Sequence, residues 1–480
     1  MSIQDKNRVL TVKGYAIKKS FLTDVQTHYL RSELTVAPKV MDKFQKMTPH
    51  FPIYYESSTR FYVPRHWGKK QFGEPEVDIV PEGLSLPPVI SFRTTFPPHD
   101  FQIDIMKLFL EKGANGLICV PCGYGKTFMA LNLAVQIKKR FLIVVDKEFL
   151  MNQWKSEIEN FIQGARVGIL QANKAQIEKE KYDITICMIQ TICRREFPDG
   201  FFEEYGLTIF DECHHLGAAY FCQALKKIQT KFMLGLSATP VREDGLTRVF
   251  EAFLGDPVYK NTQRAPDAEA VVKAVWFDSE DPAYKEIPVN WRGEPITAKL
   301  LNQVAECEAR NQKIVRTLYD YIVDPNRYIL LISDRISQLE WFYNEMQHIH
   351  SNCKIGYYIG GMKQSVLDEN AAKCKVLLAT YQMTAEGFSV KKLNTIVLCT
   401  PRKKVEQASG RIFRERIDER KVAPHIIDII DSHQTLITRW MVRQRFYKEC
   451  KYTIQHIDRP KKERIEEDKK EDEFMFKFQT

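Results

Sequence analysis

The chain has 480 residues, enough for about three domains of ordinary size. Its 44% hydrophobic and 27% charged residues exclude a disordered or fibrous chain. The net charge of +9 suits a polyanionic partner without requiring one. No apolar run approaches the roughly 20 residues of a membrane span. Met1–Lys6 carries neither an apolar signal core nor a glycine for myristoylation. No membrane role is expected, and the chain reads as soluble and intracellular. The 11 cysteines are odd in number, and Cys119, Cys187 and Cys399 sit inside apolar runs, as reduced buried thiols do.

In chain order, residues 1–88 read as an accessory N-terminal domain, aromatic and basic in character. Its patch from Tyr62 to Lys70, with Arg65, Lys69 and Lys70, reads either as a grip on nucleic acid or as a small core with a basic surface. The Pro-rich stretch Pro81–Pro88 reads as a linker. From residue 89 to 260 short apolar strands alternate with helical patterns. The strands are Gly116–Val120, Phe141–Val145, Asp183–Ile189 and Leu207–Phe210. Residues 261–310 read as a polar connecting segment. The alternation restarts in 311–458, with strands at Tyr328–Ile332, Lys375–Ala379, Thr395–Cys399 and Ile426–Ile430. Such alternation predicts an α/β fold, two tandem parallel-sheet domains with helices on both faces. Residues 459–480 form a charged tail, with Phe474, Met475, Phe476 and Phe478 as docking candidates.

The chemistry concentrates at strand ends. Val120-Pro121-Cys122-Gly123-Tyr124-Gly125-Lys126-Thr127 lies between a strand and a helix, where backbone N–H groups and the helix N-terminus face an anion. Gly123 and Gly125 allow close backbone approach, Lys126 is expected on the β/γ-phosphates, and Thr127 on Mg²⁺. Val120 stands where the strict pattern has glycine. Asp211 and Glu212 follow the strand Leu207–Phe210; Asp211 is placed for the metal and Glu212 for the attacking water. In Gln407-Ala408-Ser409-Gly410-Arg411-Ile412-Phe413-Arg414, the i, i+3 spacing predicts both arginines on one helical face, as forks for a transferring phosphoryl group. Supplied from the second domain, they imply a site that works only when the domains close. Thr191, Thr380 and Ser333 are strand-end hydroxyls suited either to phosphate contacts or to ordinary capping.

These residues together make residues 90–450 resemble a superfamily 2 helicase, which implies two RecA-like domains. Under that resemblance Gln102 reads adenine, and Gly387 belongs to the nucleotide site with Cys122 and Tyr124. Gln153-Trp154-Lys155 and Met188-Ile189-Gln190-Thr191 resemble the nucleic-acid-tracking motifs, so Trp154, Gln190 and Thr191 are expected contacts, joined by Arg242 and Thr380. Ser237-Ala238-Thr239 and His214 resemble the parts that couple hydrolysis to movement. Gln407 joins Lys126, Asp211, Glu212, Arg411 and Arg414 as catalytic. Pro121–Lys126 and Val241-Arg242-Glu243-Asp244 are most similar to the XPB branch, with the phage UvsW and poxvirus transcript-release helicases. Leu10–Tyr15 and Phe61–Arg65 resemble the large-DNA-virus members. Many relatives carry an acid two residues after Gly387; Ser389 stands there, so no ribose contact is expected from it.

The expected function is ATP- and Mg²⁺-dependent translocation on nucleic acid, DNA preferred and RNA open, in viral transcription or repair. A transcription-machinery protein is a candidate partner for an otherwise monomeric chain, placed, if viral, in the virion and infected-cell cytoplasm. Two other classes stay open: the motor of a restriction-type nuclease, and an ATP-gated scaffold that remodels nucleoprotein without unwinding.

Overall fold

The computed structural model describes residues 5–39, 49–94, 97–121, 123–242, 244–261, 266–349, 352–385, 390–415 and 417–460. Cys122, Gly387, Ser389, Glu243 and the tail phenylalanines lie outside the described residues. The chain divides into two compact units, residues 1–263 and 264–480.

The larger sheet of the first unit has eight strands. Their order is Lys174–Ala175, Val167–Gln171, Ile184–Met188, Phe141–Val145, Leu207–Phe210, Phe232–Ser237, Asn115–Cys119 and Pro257–Lys260. All neighbours are parallel except the first hairpin. Strand geometry sends alternate side chains to opposite faces. In Phe141–Val145, Phe141, Ile143 and Val145 enter one core, with the helices Asp100–Glu111, Lys126–Ile137 and Glu148–Phe161. Leu142 and Val144 enter the other. A continuous apolar run is what a strand buried on both faces requires.

The second core does not stop at the helices Cys222–Lys227 and Thr247–Leu254. It runs on into Leu10, Tyr15, Ile17, Leu30, Phe61 and Val63 of the N-terminal region. That region forms a five-stranded sheet ordered Tyr55–Glu56, Arg60–Val63, Gly14–Lys18, Arg8–Thr11 and Val77–Asp78. The helix Arg65–Phe72 packs its Gly68 against Tyr15, where an added Cβ would meet the ring at 2.5 Å.

The structure bears on two expectations. In the patch from Tyr62 to Lys70, Arg65 is built into a seam while Lys70 stays on the surface. Arg65 is 2% exposed and donates to the Lys231 carbonyl at 3.3 Å, while Lys70 pairs with Asp256 at 3.1 Å and Lys69 with Glu74 at 2.9 Å. Sequence alone could not say which face of a basic helix meets the neighbouring domain. The Pro-rich stretch is a strap rather than a free linker. Leu84 N–H donates to Glu204, Arg140 N–H to Leu84 and Leu86 N–H to Lys138. A Cβ on Gly83 (φ +68°) would sit 2.1 Å from Gly206 N.

The second unit holds a seven-stranded, wholly parallel sheet ordered Ile355–Tyr358, Val376–Thr380, Ile329–Ser333, Thr395–Leu398, His425–Asp431, Val271–Phe277 and Thr453–Ile457. The stretch 261–310, expected as a polar connection, thus supplies the strand Val271–Phe277 and the helix Thr297–Glu306. Among the described residues, two of this unit's ion pairs have both side chains at 1% exposure or less. Arg310 holds Asp431 through two hydrogen bonds, at 2.6 and 2.9 Å, and donates to the Cys399 carbonyl at 2.8 Å. Arg443 holds Asp428 at 2.7 Å, with the Tyr447 hydroxyl on the same carboxylate at 2.9 Å. Each arginine is thus bonded where desolvation would otherwise penalise its charge.

Candidate active site

Three adjacent parallel strands of the first unit end at one edge. Asn115–Cys119 leads into the phosphate loop, Phe232–Ser237 into Ala238-Thr239, and Leu207–Phe210 into Asp211-Glu212. Phe210 pairs with Gly235, so two residues further along each chain Glu212 comes beside Ser237. Gly123 has φ +90° with open space where a Cβ would stand, and Gly125 has φ +79° at the start of the helix Lys126–Ile137. Only glycine adopts such geometry without cost, and it leaves backbone amides and the positive helix end accessible to an anion.

The side chains form one bonded network. Lys126 Nζ donates to Glu212 Oε1 at 3.2 Å, both side chains largely buried. Glu212 Oε2 lies 3.4 Å from His214 Nδ1, which shares a 3.0 Å hydrogen bond with Ser237 Oγ. Ser237 Oγ in turn accepts from Thr239 N–H at 3.1 Å. Glu212 itself takes a left-handed backbone conformation, φ +43°. For a residue with a Cβ that stores of the order of 1–3 kcal/mol of strain, held here by its contacts.

Asp211 accepts from Trp154 Nε1–H at 2.8 Å and from Glu212 N–H at 3.0 Å. Burial first, and then the Glu212 charge, push its carboxyl up to about 6, against the opposing pull of Lys126 and the indole bond. A divalent cation would reverse that penalty. The hard oxygen donors of Asp211 and Thr127, at the mouth of a phosphate loop, fit Mg²⁺.

Gln102 is buried, and each end of its amide is engaged. Its Oε1 accepts from His99 N–H at 3.0 Å and its Nε2 donates to the Tyr124 carbonyl at 3.0 Å. It braces the phosphate loop and keeps one N–H for a ligand.

Each expected nucleic-acid contact is packed or bonded within the protein. Trp154 is 1% exposed in the sheet core, so neither ring face is open for stacking. Its spacing with Leu150 and Ile158 on the helix Glu148–Phe161 is a core stripe. The Thr191 hydroxyl is buried and accepts from Ala172 N–H at 2.8 Å. Arg242 is pinned by Asp244 (Nε to Oδ1, 2.9 Å) and donates to the His214 carbonyl at 2.6 Å, so it is tied to the bonded network around Glu212. Ser333 is fully buried and bonded to Gln338 and Thr400. Gln190 Nε2 donates to the Asp146 carbonyl at 2.6 Å. Thr380 ends its strand and accepts from Met383 N–H at 3.4 Å, the capping alternative.

In the second unit the arginines do not share a regular helical face. The helix runs only from Glu406 to Ser409, a 3-10 turn covers Gly410–Ile412, and Arg414 lies beyond it. The Ser409 hydroxyl donates to the Val405 carbonyl at 2.7 Å, a bond that competes with regular helix geometry just before Gly410. Arg411 is 4% exposed with Nε on the Thr384 carbonyl at 2.7 Å; Gln407 and Arg414 are half-buried.

Sequence reading missed Asp146. It follows Phe141–Val145 as Asp211 follows its own strand, and it faces His215 Nε2 at 3.8 Å. It also missed the clamp of Arg402 on Asp334, whose Nε bond to Oδ2 is 2.9 Å long. An acid directly after a buried strand was the available signal for both Asp146 and Asp334.

Residues 95–242 match the family described as "Type III restriction enzyme, res subunit". A protein of Acanthamoeba polyphaga mimivirus named as an ATP-dependent RNA helicase is 30% identical over 456 residues, 93% of this chain and 86% of its own length. One of African swine fever virus, similarly named, is 26% identical over 411 residues, covering 80% of this chain and 79% of its own. A protein of Invertebrate iridescent virus 6 named as a helicase is 29% identical over 396 residues, 76% and 85% respectively. The chain belongs to the superfamily 2 helicases and resembles those of large DNA viruses. It is an ATP-hydrolysing, ATP-dependent helicase that binds nucleic acid. No helix among the described residues is long and apolar enough to cross a membrane.

Proposed function

We propose that this chain is an ATP-driven translocase of the XPB-like branch, acting on DNA in the transcription or repair of a large DNA virus. The observation that carries the motor reading is the continuous chain Lys126–Glu212–His214–Ser237, which ties the phosphate loop to the neighbouring strand ends. Its logic is competition for one ammonium. Phosphate oxygens take Lys126 from Glu212, which frees that carboxylate to accept a proton from water. The water oxygen attacks the γ-phosphorus as the bond to the ADP oxygen breaks. The lost Glu212 contact is then felt by His214 and Ser237, and through the His214 carbonyl by Arg242. Thr127 and Asp211 would hold Mg²⁺, which would supply charge neutralisation at the phosphates. Arg411 and Arg414, with Gln407 beside them, act on the transferring phosphoryl group.

The DNA reading rests on the XPB-like stretches Pro121–Lys126 and Val241–Asp244. RNA is the second reading, favoured by the names of the mimivirus and African swine fever virus relatives. ATP turnover titrated with single-stranded DNA, duplex DNA and RNA separates them. The DNA reading expects stimulation by DNA well above RNA; stimulation by RNA alone would reverse the choice.

A further inference from the structure

Most of the chain's six tryptophans are packed. Trp154, Trp276 and Trp440 are buried, and Trp67 and Trp341 lie partly buried against cores. Trp291 is 85% exposed, the highest value among the exposed large apolar side chains of the described residues. It does not sit on a loose loop. Asn290-Trp291-Arg292-Gly293 forms a turn closed by Gly293 N–H on the Asn290 carbonyl at 2.9 Å, with Gly293 at φ +77°. Asn290 Oδ1 accepts from both Arg292 and Glu294 N–H, at 2.8 and 3.1 Å. Below the turn Val289 bridges Pro295, and Ile296 N–H donates to Pro288 at 2.7 Å.

The stem is anchored in the second unit's core. Gln303 Nε2 holds the Tyr284 and Glu286 carbonyls at 2.7 and 2.8 Å. Tyr284 is buried, and its hydroxyl donates to Asp431, the carboxylate that Arg310 clamps. A hydrogen-bonded tip thus holds an indole in water. The Arg292 guanidinium lies over that ring, 4.3 Å from its centroid. Glu294, the nearest acid in sequence, is engaged by Asn290 rather than by Arg292.

We propose that Trp291, backed by Arg292, is a stacking platform for an unpaired nucleobase of the strand on which the motor moves. The proposal rests on the reading of the chain as a nucleic-acid translocase. A flat indole with a cation on one face offers its other face to any base, and the cation is drawn to the adjacent phosphates. That combination is sequence-tolerant, as a motor needs. A duplex hides its base faces, so the platform selects single strands. A protein-docking role would leave nucleic-acid affinity untouched.

The test compares the full chain with its Trp291→Ala and Trp291→Phe variants, by anisotropy of a labelled single-stranded oligonucleotide and of a blunt duplex at fixed salt. Trp291→Ala should raise the single-strand Kd roughly 5- to 150-fold, the range one aromatic stack supports, with little change for duplex and an unchanged melting curve. Trp291→Phe should retain most of the affinity but lose the quenching of tryptophan fluorescence on binding. Equal single-strand affinity in Trp291→Ala and the unmodified chain, or equal losses on single strand and duplex, would overturn the platform while leaving the motor reading intact. An unmodified chain with no affinity for any nucleic acid would remove both.

Discussion

The two sheets use charge in opposite ways. In the first unit Lys126, Asp211, Glu212 and His214 stand together at the strand ends, and their pairings can be exchanged for a ligand. In the second unit the strongest charges are turned inward, Arg310 on Asp431 and Arg443 on Asp428, with Arg402 closed on Asp334. Arg411 and Arg414, the two arginines expected at the phosphates, lie on and beyond a short 3-10 turn. The difference shows that one architecture can either keep charge available for chemistry or use it to fix a scaffold. What decides is whether the partner of each charge is another reactive group or a core carboxylate.

The largest effect should come from the second unit's proposed chemical contribution. Arg411→Ala should lower kcat by about 10³–10⁵, the range of arginine fingers in phosphoryl transfer, with much less effect on ATP affinity. Arg411→Lys should not restore the rate, because an ammonium lacks the planar fork. Steady-state ATPase assays beside nucleotide-binding titrations check this; a kcat within twofold of the unmodified chain would place Arg411 among the scaffold charges.

Next in size is the scaffold itself. Arg310→Ala leaves Asp431 buried without its cation and should cost about 3–5 kcal/mol of stability, read as an early unfolding transition in urea. A loss below about 1 kcal/mol would mean that this pair is not the anchor it looks to be. Smaller again is Trp154→Phe, which removes the indole N–H from Asp211. Losing a hydrogen bond to a charged group should cost about 1.5–3 kcal/mol, with nucleic-acid affinity unchanged because the ring is core. A selective loss of nucleic-acid affinity at full stability would restore Trp154 as a tracking residue.

The legible parts of the sequence were those where chemistry or burial leaves few choices. Gly123, Gly125, Lys126, Asp211 and Glu212 could be read because a phosphate cradle and a general base demand those residue types after a buried strand. Phe141–Val145 and Leu207–Phe210 could be read because strands buried on both faces are apolar throughout. Thr453–Ile457 could not: its half-polar TIQHI pattern belongs to an edge strand. Val271–Phe277, interrupted by Lys273, was lost in polar surroundings. The bond from Trp154 to Asp211 joins residues 57 apart, which periodicity does not encode. Arg65 read as a surface cation because nothing local marks a helix face as a seam.

The central claim is that Lys126 and Glu212 divide binding from chemistry within one pair. ATP affinity and single-turnover hydrolysis, measured side by side for Lys126→Ala and Glu212→Gln, test it directly. Lys126→Ala should bind ATP weakly. Glu212→Gln should bind at least as tightly as the unmodified chain, because Lys126 no longer has a carboxylate competing with phosphate, yet hydrolyse about 10²–10⁴-fold more slowly. Hydrolysis by Glu212→Gln at the unmodified rate, or undiminished ATP affinity in Lys126→Ala, would contradict the account.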